Sequence, residues 1–341
     1  VKYLINIFTS HYQGGYSGMF SSGNSYWNDL KGNIVIKLVS VFNIFSLGDY
    51  YINSLFFNFI IFFGHVMLYR LFIKIYPGSQ VWVIMGCFLL PSTLYFSSGI
   101  HKDGLVLLLM AVVIYGVYQS LSKNRISIKR LLFILAGLIL LFLVRNFILL
   151  ALLPALFAWI LVAKTKWNTA LVFISVYLFG GLAFFNINAV ITKINPPDII
   201  VKKQEAYKSL PIAATQIELA ALQPTVKSFA SNIPQALGHV LFLPYPGQQP
   251  VKSLLPFSFE LYFYLFLLLL LFFFKKKDNL PADKLLMFFT LFFILTVFLF
   301  IGYIVPNIGS LIRYRSLYLP FIITPVLCSL NWEKMRGRFV I

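Results

Sequence analysis

Residues 131–162 read LLFILAGLILLFLVRNFILLALLPALFAWILV, a run with a single charge, Arg145. As one helix it would be about 48 Å long, against a hydrocarbon core of about 30 Å, with the arginine near its middle. A cation at the centre of a bilayer costs on the order of 3 kcal/mol or more. Breaking the run at Arg145-Asn146 into two short spans brings the charge to a membrane surface. It also returns Lys164 and Lys166 to the side of the earlier basic loops. The expectation is a hairpin of two spans.

Outward from this run the same reading repeats. Apolar stretches at 51–73, 81–96, 105–121, 167–188, 254–274, 285–305 and 317–330 each read as a span. The second is expected to kink or break near Pro91, and the last is the shortest. The fold class that follows is all-α, a polytopic transmembrane helical bundle of about nine complete spans. Residues 11–33, mixing glycine, serine and aromatics, read as a loop with little regular structure. Residues 34–45 read as an interfacial helix, because Asn33, Lys37, Ser40 and Asn43 form a narrow polar stripe on it. The stub YLINIF after Val1 is too short to span and no signal peptide is read, so the expectation is either an alternative start codon or a lost first helix.

The organisation expected is therefore an N-terminal outer-face segment (1–50), a first bundle of six spans (51–188) and a long, proline-rich loop outside the cytoplasm (189–253). A second bundle of three spans (254–330) and a tail (331–341) complete it. A moderate helical pattern marks 206–222 within the loop.

Composition agrees. The 341 residues are 60% hydrophobic and 11% charged, with mean hydropathy +0.85, where a soluble domain carries about a quarter charged residues. The net charge of +18 gathers in short loops at 70–74, 123–130, 164–166, 275–284 and 334–338. That is the topogenic pattern of a cytoplasmic face, with the C-terminus inside, and it argues against a nucleic-acid partner. Cys87 and Cys328 fall inside apolar runs and offer no disulfide framework or cysteine metal site.

The opposite face is poor in charge, so its charges are informative. They are His101, Lys102 and Asp103 in SSGIHKDG (97–104), Arg145, and Arg313 with Arg315 in IGSLIRYR. Asp29, Asp49 and Glu260 lie on the same side. Arginines at the ends of different helices suit a phosphate or pyrophosphate held at the interface, and nearby carboxylates suit proton abstraction from a hydroxyl. Plainer readings stand beside these. Asp103 could cap its helix, Arg145 could reach to lipid headgroups, and Asp29 and Asp49 could be helix-start residues. Glu260 could cap its helix or pair with Lys252. His65 reads as an interhelical hydrogen-bonder, and His239 carries no constellation.

No HExxH, paired-cysteine, phosphate-loop or dinucleotide motif is present, and the glycine-rich GGYSG and SSGN precede no helix in phosphate-loop fashion. A zinc protease and ATP-driven transport are unsupported. No metal site or cofactor is read, with a divalent cation left open.

The layout resembles polytopic bacterial glycosyltransferases that use polyprenyl-linked sugars, the C-type membrane superfold, and also Wzy-like polysaccharide polymerases. SYWNDLKGNIVIKLVSVFNIFSLGDYY, with Asp29 or Asp49, looks like the early outer loop with its catalytic aspartate and following interfacial helices. VRN at Arg145 and IGSLIRYRSLYLP at Arg313 and Arg315 are similar in kind to outer-face arginines that bind lipid pyrophosphate. The resemblance implies a bacterial-type inner membrane, and transfer of a sugar or glycan from a polyprenyl phosphate or pyrophosphate carrier outside the cytoplasm. The partners implied are that carrier and membrane lipids. In this expectation Asp29, Asp103 or His101 activates the acceptor. Lys102, Arg145, Arg313 and Arg315 hold the carrier, with Asp49 and Glu260 beside them. A transporter or lipid flippase, and a non-catalytic membrane subunit, are the alternatives. The absence of a convincing internal repeat and the gathering of polar residues at one face favour the enzyme.

Overall fold

In lipid every backbone N–H and C=O must be satisfied within its own segment, and long apolar runs answer this by forming helices. The computed structural model describes residues 25–123, 125–192, 194–247, 252–276 and 281–339, and its regular elements are helices. Among the described residues the extended pairings are the isolated bridges Gln216–Asn307 and Lys275–Leu330. Six helices are long and apolar enough to cross a membrane, or up to eight spans if each of two bent pairs counts as one. The chain is thus a multi-pass membrane protein.

The expected nine spans exceed the upper count of eight by one, because Ile128–Thr165 is one such helix where two spans are expected. Helix α6 covers Ile128–Thr165, 38 residues, and leaves helical geometry at one residue, Arg145 (φ −153°, ψ 88°). The break falls where the charge falls. It divides α6 into segments of about 17 and 20 residues, each about 25–30 Å long.

The chain divides into two units, Val1–Leu68 with Leu94–Leu149, and Tyr69–Thr93 with Leu150–Ile341. In the first, α1 (Tyr26–Ser46) begins at an N-cap, Ser25, whose hydroxyl accepts from the Asn28 amide. Residues 26–33 are therefore helical, not loop: a serine cap followed by Asp29 in the first turn favours the helix start. The rest of the segment read as loop, including GGYSG and SSGN, lies outside the described residues. Helix α2 (Tyr50–Ile75) starts on Asp49, whose Oδ1 accepts from Ile52 N at 2.9 Å. The polar positions of α1 face protein. Asn53 Nδ2 donates to Asn43 Oδ1 at 2.7 Å, Ser46 Oγ donates to Asn53 Oδ1 at 2.8 Å, and Lys37 is buried. Val35, Leu38, Val39 and Phe42 of α1 pack on a core of Phe57, Ile61 and Leu105. The last of these belongs to α5 (Lys102–Ser122).

In the second unit, α3 (Gln80–Phe88) gives way at Pro91, as expected, to α4 (Pro91–Ser97), bent by 45°. Helix α7 (Thr169–Asn186) precedes the long polar segment. That segment carries α8 (Pro196–Lys208) and α9 (Val226–Phe242), with non-helical chain between them. The helical pattern expected at 206–222 is corrected for most of its length. Buried Gln204 explains why: its Nε2 donates to the Ala220 and Tyr303 carbonyls, and its Oε1 accepts from Leu222 N. Gln235 Oε1 accepts from Ala220 N. Side-chain amides on the two helices thus take the backbone groups that a helix would have used. The strap then runs beside Asn307, where Ile217 N donates to the Pro306 carbonyl and Ile308 N to the Thr215 carbonyl.

Helices α10 (Leu255–Phe274), α11 (Pro281–Ile304), α12 (Ile308–Ser316), α13 (Leu319–Ser329) and α14 (Trp332–Phe339) follow. A Cβ at Gly302 of α11 would collide with the Ala236 carbonyl of α9, so these two backbones touch only because the residue is glycine.

Candidate functional site

The first unit brings together residues far apart in sequence. Asp103 is in the first turn of α5 and its side chain is 0% exposed. The Arg145 guanidinium, 12% exposed, stands beside it with Nη2 2.5 Å from Asp103 Oδ1. This is a close charge contact rather than a well-directed hydrogen bond. Arg145 reaches it because α6 breaks at that residue. Gly104 lets α5 start this deep, since a Cβ there would meet the Ser97 carbonyl and Ile61.

Lys102, one residue earlier, donates from Nζ to the carbonyls of Lys31 and Gly32 at 3.2 and 3.1 Å, tying α5 to α1. Its charge and that of Arg145 act on one another. On α1 the spacing of Asp29, Asn33 and Lys37 places all three on one face. Asn33 Nδ2 donates to Asp29 Oδ1 at 2.7 Å, and Lys37 Nζ lies 3.1 Å from Asp29 Oδ2, with both ion-pair partners under 10% exposed. Trp27 of α1 packs on Phe142 of α6 at 5.9 Å between centroids. His101 precedes α5 with an exposed imidazole that does not cap the helix.

Of the expected residues, then, Asp103 and Arg145 pair, and Lys102 stands near enough for its charge to act on Arg145. Asp29 is joined to Lys102 through α1, His101 adjoins Lys102 in sequence, and Asp49 is exposed at its helix cap. Lys37, read as part of an interfacial stripe, is instead a buried partner of Asp29. The eight-residue spacing from Asp29 to Lys37 carried that signal.

The second unit uses its charges differently. Glu260 of α10 accepts from Ser92 N at 3.1 Å on each oxygen, from Ser92 Oγ at 3.0 Å and from Tyr264 Oη at 2.7 Å. It caps the start of α4, where the sequence alternatives had it capping its own helix or pairing with Lys252. Arg315, 4% exposed, donates Nη1 to the carbonyls of Val240 and Leu243, both at 2.7 Å, and so closes the C-terminus of α9. Arg313, on the same short helix, is half-buried.

Two cations around one buried carboxylate can bind an anion. The carboxylate holds the guanidinium in place, and the lysine supplies charge that Asp103 does not cancel. Among the described residues no group of three or more His, Cys, Asp or Glu is placed to hold a metal ion. No family model, curated protein or solved structure matches the chain.

Proposed function

We propose that this chain is an integral membrane glycosyltransferase that takes a sugar or glycan from a polyprenyl phosphate or pyrophosphate carrier on the extracytoplasmic side. One observation carries the reading: Arg145 pairs with a fully buried carboxylate, Asp103, at the start of a span, and the neighbouring Lys102 adds a second positive charge that acts on Arg145. Charge at such a position is costly and calls for an anionic partner. A lipid-borne phosphate supplies that charge together with a chain for the bilayer.

In this reading Lys102 and Arg145 grip the carrier phosphate and Asp103 orients Arg145. The acceptor oxygen forms its bond to the anomeric carbon as the bond from that carbon to the phosphate oxygen breaks. The electron pair leaves on the lipid phosphate, where the two cations stabilise it. The acceptor proton passes to the exposed imidazole of His101, with Asp29 the alternative base.

The test is binding of undecaprenyl phosphate to the purified protein, alongside surface glycan in cells lacking the gene and supplied with each variant. Lys102→Gln and Arg145→Lys are expected to weaken binding at least tenfold and to abolish glycan while the protein still inserts. Wild-type binding and wild-type glycan in both variants would sink the proposal.

A further inference from the structure

The first unit also holds a cavity of about 380 Å³, lined by Asn58, Ile61, Phe62 and His65 of α2 and by Leu94, Tyr95, Ser97 and Ser98 at the end of α4. The α2 residues follow i, i+3, i+4, i+7 spacing and form one face. They stand about 12 to 22 Å along a helix about 39 Å long, which is hydrocarbon depth for a span. The flank is lipid-facing in character. Phe62 and Tyr95 at the cavity are 50% and 66% exposed, and Leu55, Phe59 and Phe63 beside them on α2 are exposed too. An apolar cavity opening at that depth faces acyl chains, not water.

One polar group is left over inside it. Asn58 Oδ1 accepts from Gly99 N at 2.8 Å, while its Nδ2 donates to no group among the described residues. His65 Nε2 and Ser97 Oγ, 3.4 Å apart, face each other. An amide N–H without an acceptor is expensive away from water, so the cavity suits a guest with an apolar chain and an oxygen. We propose that it is a lipid site, taking one hydrocarbon chain of a bilayer lipid whose first oxygen accepts from the Asn58 amide. The site needs no chemistry from the Lys102–Arg145 cluster and stands independently of the transferase reading.

The test is native mass spectrometry of the protein released from nanodiscs of phosphatidylethanolamine and phosphatidylglycerol, with and without undecaprenyl phosphate. Wild-type protein is expected to retain one lipid. Leu94→Trp, which fills the cavity, and Ser98→Trp, at an exposed position that leaves packing intact, are each expected to cut retention at least tenfold. Retention of a glycerophospholipid supports the proposal, and retention of undecaprenyl phosphate alone would overturn it. Equal retention in wild type and Ser98→Trp, or no retained lipid in wild type, would overturn the proposal.

Discussion

Both units place an arginine and a carboxylate in polar contacts away from bulk water, and they use them differently. In the second unit each group answers backbone. Glu260 takes the N–H of Ser92 at the start of α4, and Arg315 takes the last carbonyls of α9. These are helix-terminus roles, matched to the sign of the helix dipole. In the first unit Asp103 and Arg145 answer each other, and Lys102 adds a cation that the pair does not neutralise. A buried ion pair contributes little net stability compared with apolar packing of the same volume. The proposed carrier binding would give its presence at the start of a span a reason.

The sharpest way to break that contrast is to unpair Asp103. Arg145→Ala leaves a fully buried carboxylate without its cation, and a loss of about 3–5 kcal/mol is expected in thermal unfolding in detergent. The double change Asp103→Leu with Arg145→Met should recover most of that loss while leaving undecaprenyl phosphate binding abolished. Recovered stability with retained binding would show the pair to be ordinary packing.

Arg315→Met comes next. It strands the carbonyls of Val240 and Leu243, at roughly 2–3 kcal/mol, with carrier binding unchanged in the protein that remains folded. Loss of binding at full stability would erase the distinction between the units. Glu260→Gln is milder. The amide oxygen still accepts from Ser92, and only the charge opposite the start of α4 is lost, about 1 kcal/mol in the same unfolding measurement.

These positions also mark how far the sequence could be read. Span existence was legible, because runs of apolar residues at membrane length admit one backbone solution. The break at Arg145 was legible for the same reason, since a lone cation in such a run has to be brought to an edge or given a partner. The partner was not legible. Asp103 and Arg145 lie on different helices, and nothing in local spacing says which carboxylate a guanidinium will find. The strap between α8 and α9 was misread because the glutamines that hold it, Gln204 and Gln235, act across loops rather than along a helix. Nor could Arg315 be separated from Arg313 by spacing alone. Two residues apart on one short helix, they point in different directions, and burial decides between them.

The finest test lies one residue before the carbonyl that Arg315 clamps. His239 on α9 has a buried Nδ1 without a hydrogen-bond partner among the described residues, and burial holds its imidazole below the usual 6.5. The unfolded chain takes up this proton near pH 6.5 and the folded chain only at lower pH. Stability from the neutral ring is thus complete above 6.5 and lost as pH falls through the folded value. Unfolding temperature should decline from pH 7.5 to 5 in wild-type protein, and His239→Gln should flatten that decline slightly, because solvent reaches part of the ring. Arg315→Met, which frees the carbonyls next to His239, should flatten it by less, because the ring gains water but still titrates. An unchanged slope in both variants would place the acid sensitivity elsewhere and detach His239 from the closure of α9.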